Sequence, residues 1–207
     1  MQGCGKGYDV VTLALHGFDV VGLEISRKGV SVAEEYACRE LQMPQAYNFG
    51  TAWANRYERG SVSFIQGDFF QVDSANGEKF DVIYDYTVCV RTIGHLYIIN
   101  FLQFLCALHP TMRAQWASRM ADLLIPGGLL VCLEFPLFKD PSLPGPPWPL
   151  KGVYWNLLSE GGDGIVHPSR PNQQAGRGNF ERKWYIKPGR SYESGKGTDM
   201  LSVYARK

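Results

Sequence analysis

The stretch Met1-Gln2-Gly3-Cys4-Gly5-Lys6-Gly7-Tyr8-Asp9, followed by the helical pattern of Val10, Val11, Leu13 and Ala14, decides the fold. Glycines at 3, 5 and 7 let the backbone take positive φ and come close to a ligand, and the helix they feed offers unpaired N–H groups at its start. Such a turn hangs from the end of a buried strand, but only Met1 and Gln2 come before it here, so the first strand is expected to be largely missing. The spacing G-x-G-x-G also differs from a dinucleotide fingerprint, which places its third glycine one residue later. Tyr8 occupies that place, and its bulk argues against a dinucleotide.

Downstream, three apolar runs end in acids. Phe18–Ile25 is of buried-strand type and closes on Glu24, suited to accept hydrogen bonds from two ribose hydroxyls. Val62–Gln66 runs into Gly67-Asp68-Phe69-Phe70, where Asp68 is placed to take an adenine amino group and Phe69 to cover the ring. Phe80–Tyr84 ends in Asp85-Tyr86-Thr87. Ligands of open α/β sheets bind at such carboxyl ends. A glycine turn alone is often a plain loop, and an acid at a strand end is often a solvated cap. In this order and at these separations they fit S-adenosylmethionine (SAM) better than a nucleotide phosphate.

These residues resemble the thiopurine S-methyltransferase family, in particular its halide/thiol methyltransferase branch from plants and fungi. The matching segments are GCGKGYDVV, VVGLEIS, GDFF, FDVIYDYT, FLCALHPTMRAQWA, LLIPGGLLVCLEFP, GPPWPLKGVYW and GKGTDMLSV. The resemblance implies a single domain over residues 1–207 with the α/β class I SAM-dependent methyltransferase fold, a Rossmann-like three-layer sandwich. It also implies SAM contacts at Gly3, Glu24, Asp68, Phe69 and Tyr86; at the end of the fourth strand Tyr86 either shapes the methyl-transfer site or is simply an adenosine or methionine contact. Two departures stand out. The family's further N-terminal stretch, with its tryptophans and first strand, has no counterpart here. Between DYT and FLCALHP the chain carries Val88–Gln103, VCVRTIGHLYIINFLQ. That insert reads as a translated intron: Val-Cys can be encoded GTATGT, a donor site, Leu-Gln can be encoded CTGCAG, ending in an acceptor, and deletion restores the family junction in frame. A lineage-specific loop or helix is the other reading.

Composition narrows the partners. A chain of 207 residues, 45% hydrophobic, is enough for one α/β core. A net charge of +1 without a basic stripe disfavours nucleic acid. Cysteines 4, 38, 89, 106 and 132 form no C-x-x-C and read as reduced thiols of a cytoplasmic protein. Histidines 16, 95, 109 and 167 lack ligand spacing, so no metal is expected. Leu96–Leu108 is too short and polar to span a membrane. A monomer acting on a small molecule is expected.

Pro110-Thr111-Met112 opens a helix whose Met112, Trp116, Met120, Leu123 and Leu124 share one apolar face. Pro126-Gly127-Gly128 should stop it and lead into strand Leu129–Phe135. The proline-rich loop Pro136–Pro149 is either part of a substrate lid, with Trp148 as a wall, or a rigid connector. Ser159–Asn179 reads as a mobile surface excursion, and Phe180–Ile186 with Met200–Ala205 as a final antiparallel pair. Arg113 either attracts an anionic substrate or forms a helix-surface ion pair.

The residues show no convincing base–nucleophile pair. Methyl transfer from a sulfonium to a halide or thiolate needs alignment and water exclusion more than proton abstraction. A SAM-dependent methyltransferase for a small thiol or halide is the leading reading. A non-catalytic remnant of that fold, with strand edges exposed by loss of the first strand, and a small-molecule O-methyltransferase remain open.

Overall fold

The computed structural model describes residues 1–51, 58–72, 77, 79–85, 104–166, 176–189 and 197–207. Tyr86 and the insert Val88–Gln103 lie outside the described residues. The chain divides into two compact units, Met1–Val72 and Asp73–Lys207.

In the first unit, helix α1 (Tyr8–Leu15) follows the glycine turn, then strand β1 (Val20–Glu24), helix α2 (Arg27–Gln42), a single turn α3 (Ala46–Phe49) and strand β2 (Val62–Gln66). β1 and β2 run parallel, with Val20 opposite Val62 and Glu24 opposite Gln66. On the other edge of β1, Gln2 forms one parallel bridge with Leu23, backed by Leu23 N–H to Met1 O at 2.8 Å and Cys4 N–H to Leu23 O at 3.0 Å. The residues before the turn therefore lie where a first strand would. One broad face of α1 is buried, in two adjacent rows. Val10 and Ala14 pack with Cys4 and Val20, while Val11 and Leu15 pack with Tyr36 and Ala37 of α2. The 3.6-residue period sets this arrangement, since i and i+4 fall on one face.

The second unit holds strand β3 (Phe80–Asp85), turn α4 (Phe104–Ala107), a 3-10 turn at Pro110–Met112, helix α5 (Arg113–Leu123), strand β4 (Leu124–Glu134), turn α6 (Val153–Trp155) continuing as a π-helical turn Asn156–Glu160, and strands β5 (Phe180–Ile186) and β6 (Met200–Arg206). Its sheet has the order β3-β4-β6-β5, with β3 parallel to β4 and β6 antiparallel to both neighbours. Of the expected stripe, Trp116 and Met120 on α5 and Leu124 at the start of β4 are fully buried, while Met112 and Leu123 are half-buried.

Two expectations shift. The strand after α5 begins at Leu124 instead of Leu129, because Pro126-Gly127-Gly128 forms a bulge inside it. Pairing jumps from Phe80↔Leu124 to Val82↔Leu129, and Gly127 takes φ 78°. A proline without N–H and a left-handed glycine interrupt the ladder without ending the strand. The excursion expected from Ser159 starts later. Leu157, Leu158 and Ser159 are buried, and a side chain on Gly178 would lie 2.1 Å from Leu158 O, so this end of the segment is packed tightly. Among the described residues no helix is long and apolar enough to cross a membrane.

Candidate cofactor site

The glycine turn is shaped by three left-handed residues, Gly3 at φ 61°, Gly5 at 52° and Gly7 at 74°. Only glycine takes this conformation repeatedly without a steric penalty. Gly7 is the N-cap of α1, its N–H donating to Cys4 O at 2.9 Å and its carbonyl accepting from Val11 N–H at 3.0 Å. A side chain on Gly7 would come within 2.9 Å of Phe64 Cζ, and one on Gly22 of β1 within 2.7 Å of Phe64 Cδ1. The ring of Phe64 on β2 thus fills a notch made by two glycines. The close helix–sheet approach that a dinucleotide fold makes with its third glycine is made here by Gly7. Tyr8, one residue on, turns outward and meets Tyr36 edge-on at 4.7 Å.

Glu24 ends β1 with both carboxylate oxygens engaged by backbone. Gly5 N–H donates to Oε2 and Ser26 N–H to Oε1, each at 3.1 Å. A carboxylate has about four lone-pair sites, so the described residues leave two for a ligand. The side chain is also held from above. Ser26 caps α2 by accepting from Gly29 N–H at 3.2 Å, and a side chain on Gly29 would lie 2.8 Å from Glu24 Cγ. Ser26, Gly22 and Gly29 are supporting residues that the sequence reading missed. Ser26 had a visible signal, a capping serine directly after a strand, whereas the glycines are required only by contacts across elements.

The end of β2 is tied to the same point, Gly67 N–H donating to Glu24 O at 3.1 Å. Asp68 then turns the chain. Its Oδ1 accepts from Phe70 N–H at 2.9 Å, and its carbonyl accepts from Gln71 and Val72 N–H. Phe69 is buried at 5% exposure, edge-on to Phe70 at 5.2 Å. The structure therefore places Gly3, Glu24, Asp68 and Phe69 at the carboxyl ends of two adjacent parallel strands and the turn beside them. Tyr86 lies outside the described residues.

Two groups near the turn titrate away from their usual ranges. Burial, reinforced by the neighbouring Glu24 charge, pushes the Cys4 thiol up to about 11, so it stays protonated at neutral pH. Burial lifts the Asp9 carboxyl, in the first turn of α1, to about 6.

In the second unit Asp85 points inward: it is buried, and its Oδ2 accepts from the Tyr154 hydroxyl at 3.2 Å. Arg113 fits neither earlier reading. It is 4% exposed and donates to Gly164 O at 2.9 Å and Pro149 O at 3.1 Å, two carbonyls far along the chain. The proline-rich loop is pinned by Lys139, whose ammonium donates to Pro144 O at 2.7 Å and Pro147 O at 2.6 Å. Trp148 N–H donates to Cys106 O at 2.7 Å, and its ring meets His109 edge-on at 5.1 Å.

Comparison with known proteins gives a consistent result. The sequence model of the thiopurine S-methyltransferase family matches residues 1–186. A probable thiol methyltransferase 2 of Arabidopsis thaliana is 38% identical over 148 residues, covering 72% of this chain and 50% of that protein. Thiocyanate methyltransferase 1 of Brassica oleracea is 32% identical over 148 residues, 72% of this chain and 50% of that protein. A thiopurine S-methyltransferase of Shewanella baltica is 30% identical over 147 residues, 70% of this chain and 56% of that protein. The chain spans about half the length of the curated relatives it matches. Among solved structures, magnesium protoporphyrin IX methyltransferase from Synechocystis with bound SAM superposes with TM-score 0.56 at 17% identity, over 100% of this chain and 68% of that one. A SAM-dependent methyltransferase from Methanosarcina mazei does so with TM-score 0.55 at 16% identity, over 100% of this chain and 90% of that one. The fold is that of the class I SAM-dependent methyltransferases.

Proposed function

Because the chain belongs to the thiopurine S-methyltransferase family, we propose that it is a SAM-dependent methyltransferase acting on a small thiol or halide. The observation that carries the reading is Glu24, fixed between the glycine turn and the start of α2 with two lone-pair sites left to accept hydrogen bonds. That donor and acceptor set suits an adenosine bearing a sulfonium. It offers a vicinal-diol acceptor and an adenine acceptor at Asp68.

SAM, when bound, supplies a methyl group already activated on a positively charged sulfur. The chain's own residues would hold and shield it. Gly3 allows close backbone approach, Glu24 accepts from the ribose hydroxyls, Asp68 accepts from the adenine amine with the capacity its own turn leaves free, and Phe69 closes the apolar side. Tyr86 is proposed to shape the site of transfer. A halide carries no proton, and a small thiol titrating near about 8.5 is partly ionised at neutral pH. Orientation and exclusion of water are then the main sources of rate.

The relatives' names, thiol, thiocyanate and thiopurine methyltransferases, support sulfur or pseudohalide acceptors over hydroxyls. A cytoplasmic, monomeric enzyme free of nucleic acid and membranes is part of the proposal. Among the described residues, cysteines 4, 38, 106 and 132 form no disulfide, which suits a reducing compartment. The test is transfer of labelled methyl from SAM to bisulfide, iodide, thiocyanate and a phenol. Methylated sulfide or iodide supports the proposal. Methylation of the phenol alone makes the protein an O-methyltransferase, and no transfer with no SAM binding makes it a non-catalytic remnant.

A further inference from the structure

Where β4 begins, the second unit holds a polar cavity of about 450 Å³. Its walls are Ala121 and Asp122 of α5, the stretch 176–179 ahead of β5, Arg206 at the end of β6, and Lys207. Ligands of parallel strands sit at the carboxyl ends, which in this sheet are Asp85 and Glu134. The cavity lies at the other end.

Three cations face it, and the backbone holds two of them in place. Lys207 donates its backbone N–H to Asn179 O at 2.9 Å, and its ammonium donates to Gly176 O at 3.0 Å and Gly178 O at 2.7 Å. One nitrogen of the Arg206 guanidinium donates to Leu124 O. Arg177 is exposed between the two glycines. The stretch that carries it is seated against the π-helical turn, since a side chain on Gly178 would lie 2.1 Å from Leu158 O.

Carbonyls orient a cation without neutralising it. Among the described residues no ion pair joins Arg177, Arg206 or Lys207 to a carboxylate, and nearby Glu181 is paired with Lys183 at 2.6 Å. Asp122, on the last turn of α5, is the one acidic side chain in the lining. Even with the α-carboxylate of Lys207 counted, positive charge is in excess.

Guanidinium forks match oxyanions, and an ammonium adds a point charge. Two forks and an ammonium around one cavity suit a doubly charged oxyanion. The volume falls within the range of small-molecule sites and exceeds what a bare phosphate fills. The lining has no aromatic ring on which a base could stack, but the Asn179 amide and the Asp122 carboxylate can hydrogen-bond hydroxyls.

We propose that this cavity is a second ligand site that takes the phosphate ester of a small hydroxylated molecule. The phosphate meets Arg177, Arg206 and Lys207, and the hydroxyls meet Asn179 and Asp122. The site shares no residue with the candidate cofactor site and stands independently of the methyltransferase reading.

The test is calorimetric titration of ribose 5-phosphate, inorganic phosphate and ribose into the chain and into Arg177→Gln, Lys207→Gln and Asp122→Asn. Ionic strength is held constant, because exposed charges are screened by salt. Ribose 5-phosphate should bind one to one with Kd at or below about 1 mM, inorganic phosphate more weakly, and ribose not at all. Arg177→Gln and Lys207→Gln should each weaken ribose 5-phosphate about fivefold or more. Asp122→Asn should tighten inorganic phosphate about twofold or more, because a like charge leaves the mouth. That gain has the opposite sign to the loss a disturbed fold would give. No saturable binding of either phosphate overturns the proposal, as does binding that both glutamine variants leave unchanged. Ribose binding as tightly as its phosphate overturns it too.

Discussion

Glu24 is held by backbone on two sides and by the absence of a side chain on a third, and this makes its position testable one atom at a time. In Gly29→Ala the new methyl would meet Glu24 Cγ at 2.8 Å, so the carboxylate must move while the helix stays intact. Calorimetry should show SAM affinity falling severalfold with Tm nearly unchanged. Asp9 gives a second residue-scale prediction. Its folded carboxyl titrates at about 6, against about 3.9 in an unfolded chain. The folded state therefore holds this proton more tightly, and stability falls as pH rises from about 4 to about 6, then levels off. Asp9→Asn should flatten that slope in urea melts and raise stability above pH 7 by at most about 3 kcal/mol. The glycine turn and Glu24 were legible in sequence because their signals are local, a spacing and a strand end. Gly22 and Gly29 were not, because what requires glycine there is Phe64 on another strand and Glu24 on another element. Arg113 was misjudged for the same reason. On an amphipathic helix a cation defaults to the surface, and its carbonyl partners lie 36 and 51 residues away.

Helix periods and strand runs were read from the chain nearly as they stand: β2 and β5 have the expected bounds, and α5 buries Trp116 and Met120 of the expected stripe while Leu123 is half-buried. The bulge at Pro126-Gly127-Gly128 was read as a boundary, since proline and glycine mark an interruption without saying whether pairing resumes on the same strand. Ser159 was assigned to a surface segment on composition, although the residues beside it pack under Gly178. At this scale Arg113 is the element to probe. Arg113→Ala leaves the Pro149 and Gly164 carbonyls without their donor, a loss of about 2–5 kcal/mol. Hydrogen exchange should quicken across residues 150–164 more than in β4 or β6. Uniform quickening across the unit would contradict the clamp.

For the whole molecule, the family and its fold follow from motifs spread over most of the chain, which is why they were visible before any coordinates. The insert was visible only as a departure from that pattern. If Val88–Gln103 is a translated intron, the mature transcript reads directly from the codon of Thr87 to that of Phe104. In that case the protein lacking those residues should bind SAM more tightly than the chain with them. A transcript that retains the segment, with equal affinity in the two forms, would make it a true part of the protein.

The central claim is that Glu24, at the end of β1 beside the glycine turn, grips SAM. The most direct measurement is calorimetric titration of SAM into the chain and into Glu24→Ala. Loss of two charge-assisted hydrogen bonds predicts saturable one-to-one binding in the first and an affinity about 10- to 100-fold weaker in the second. Equal affinity in the two would contradict the account.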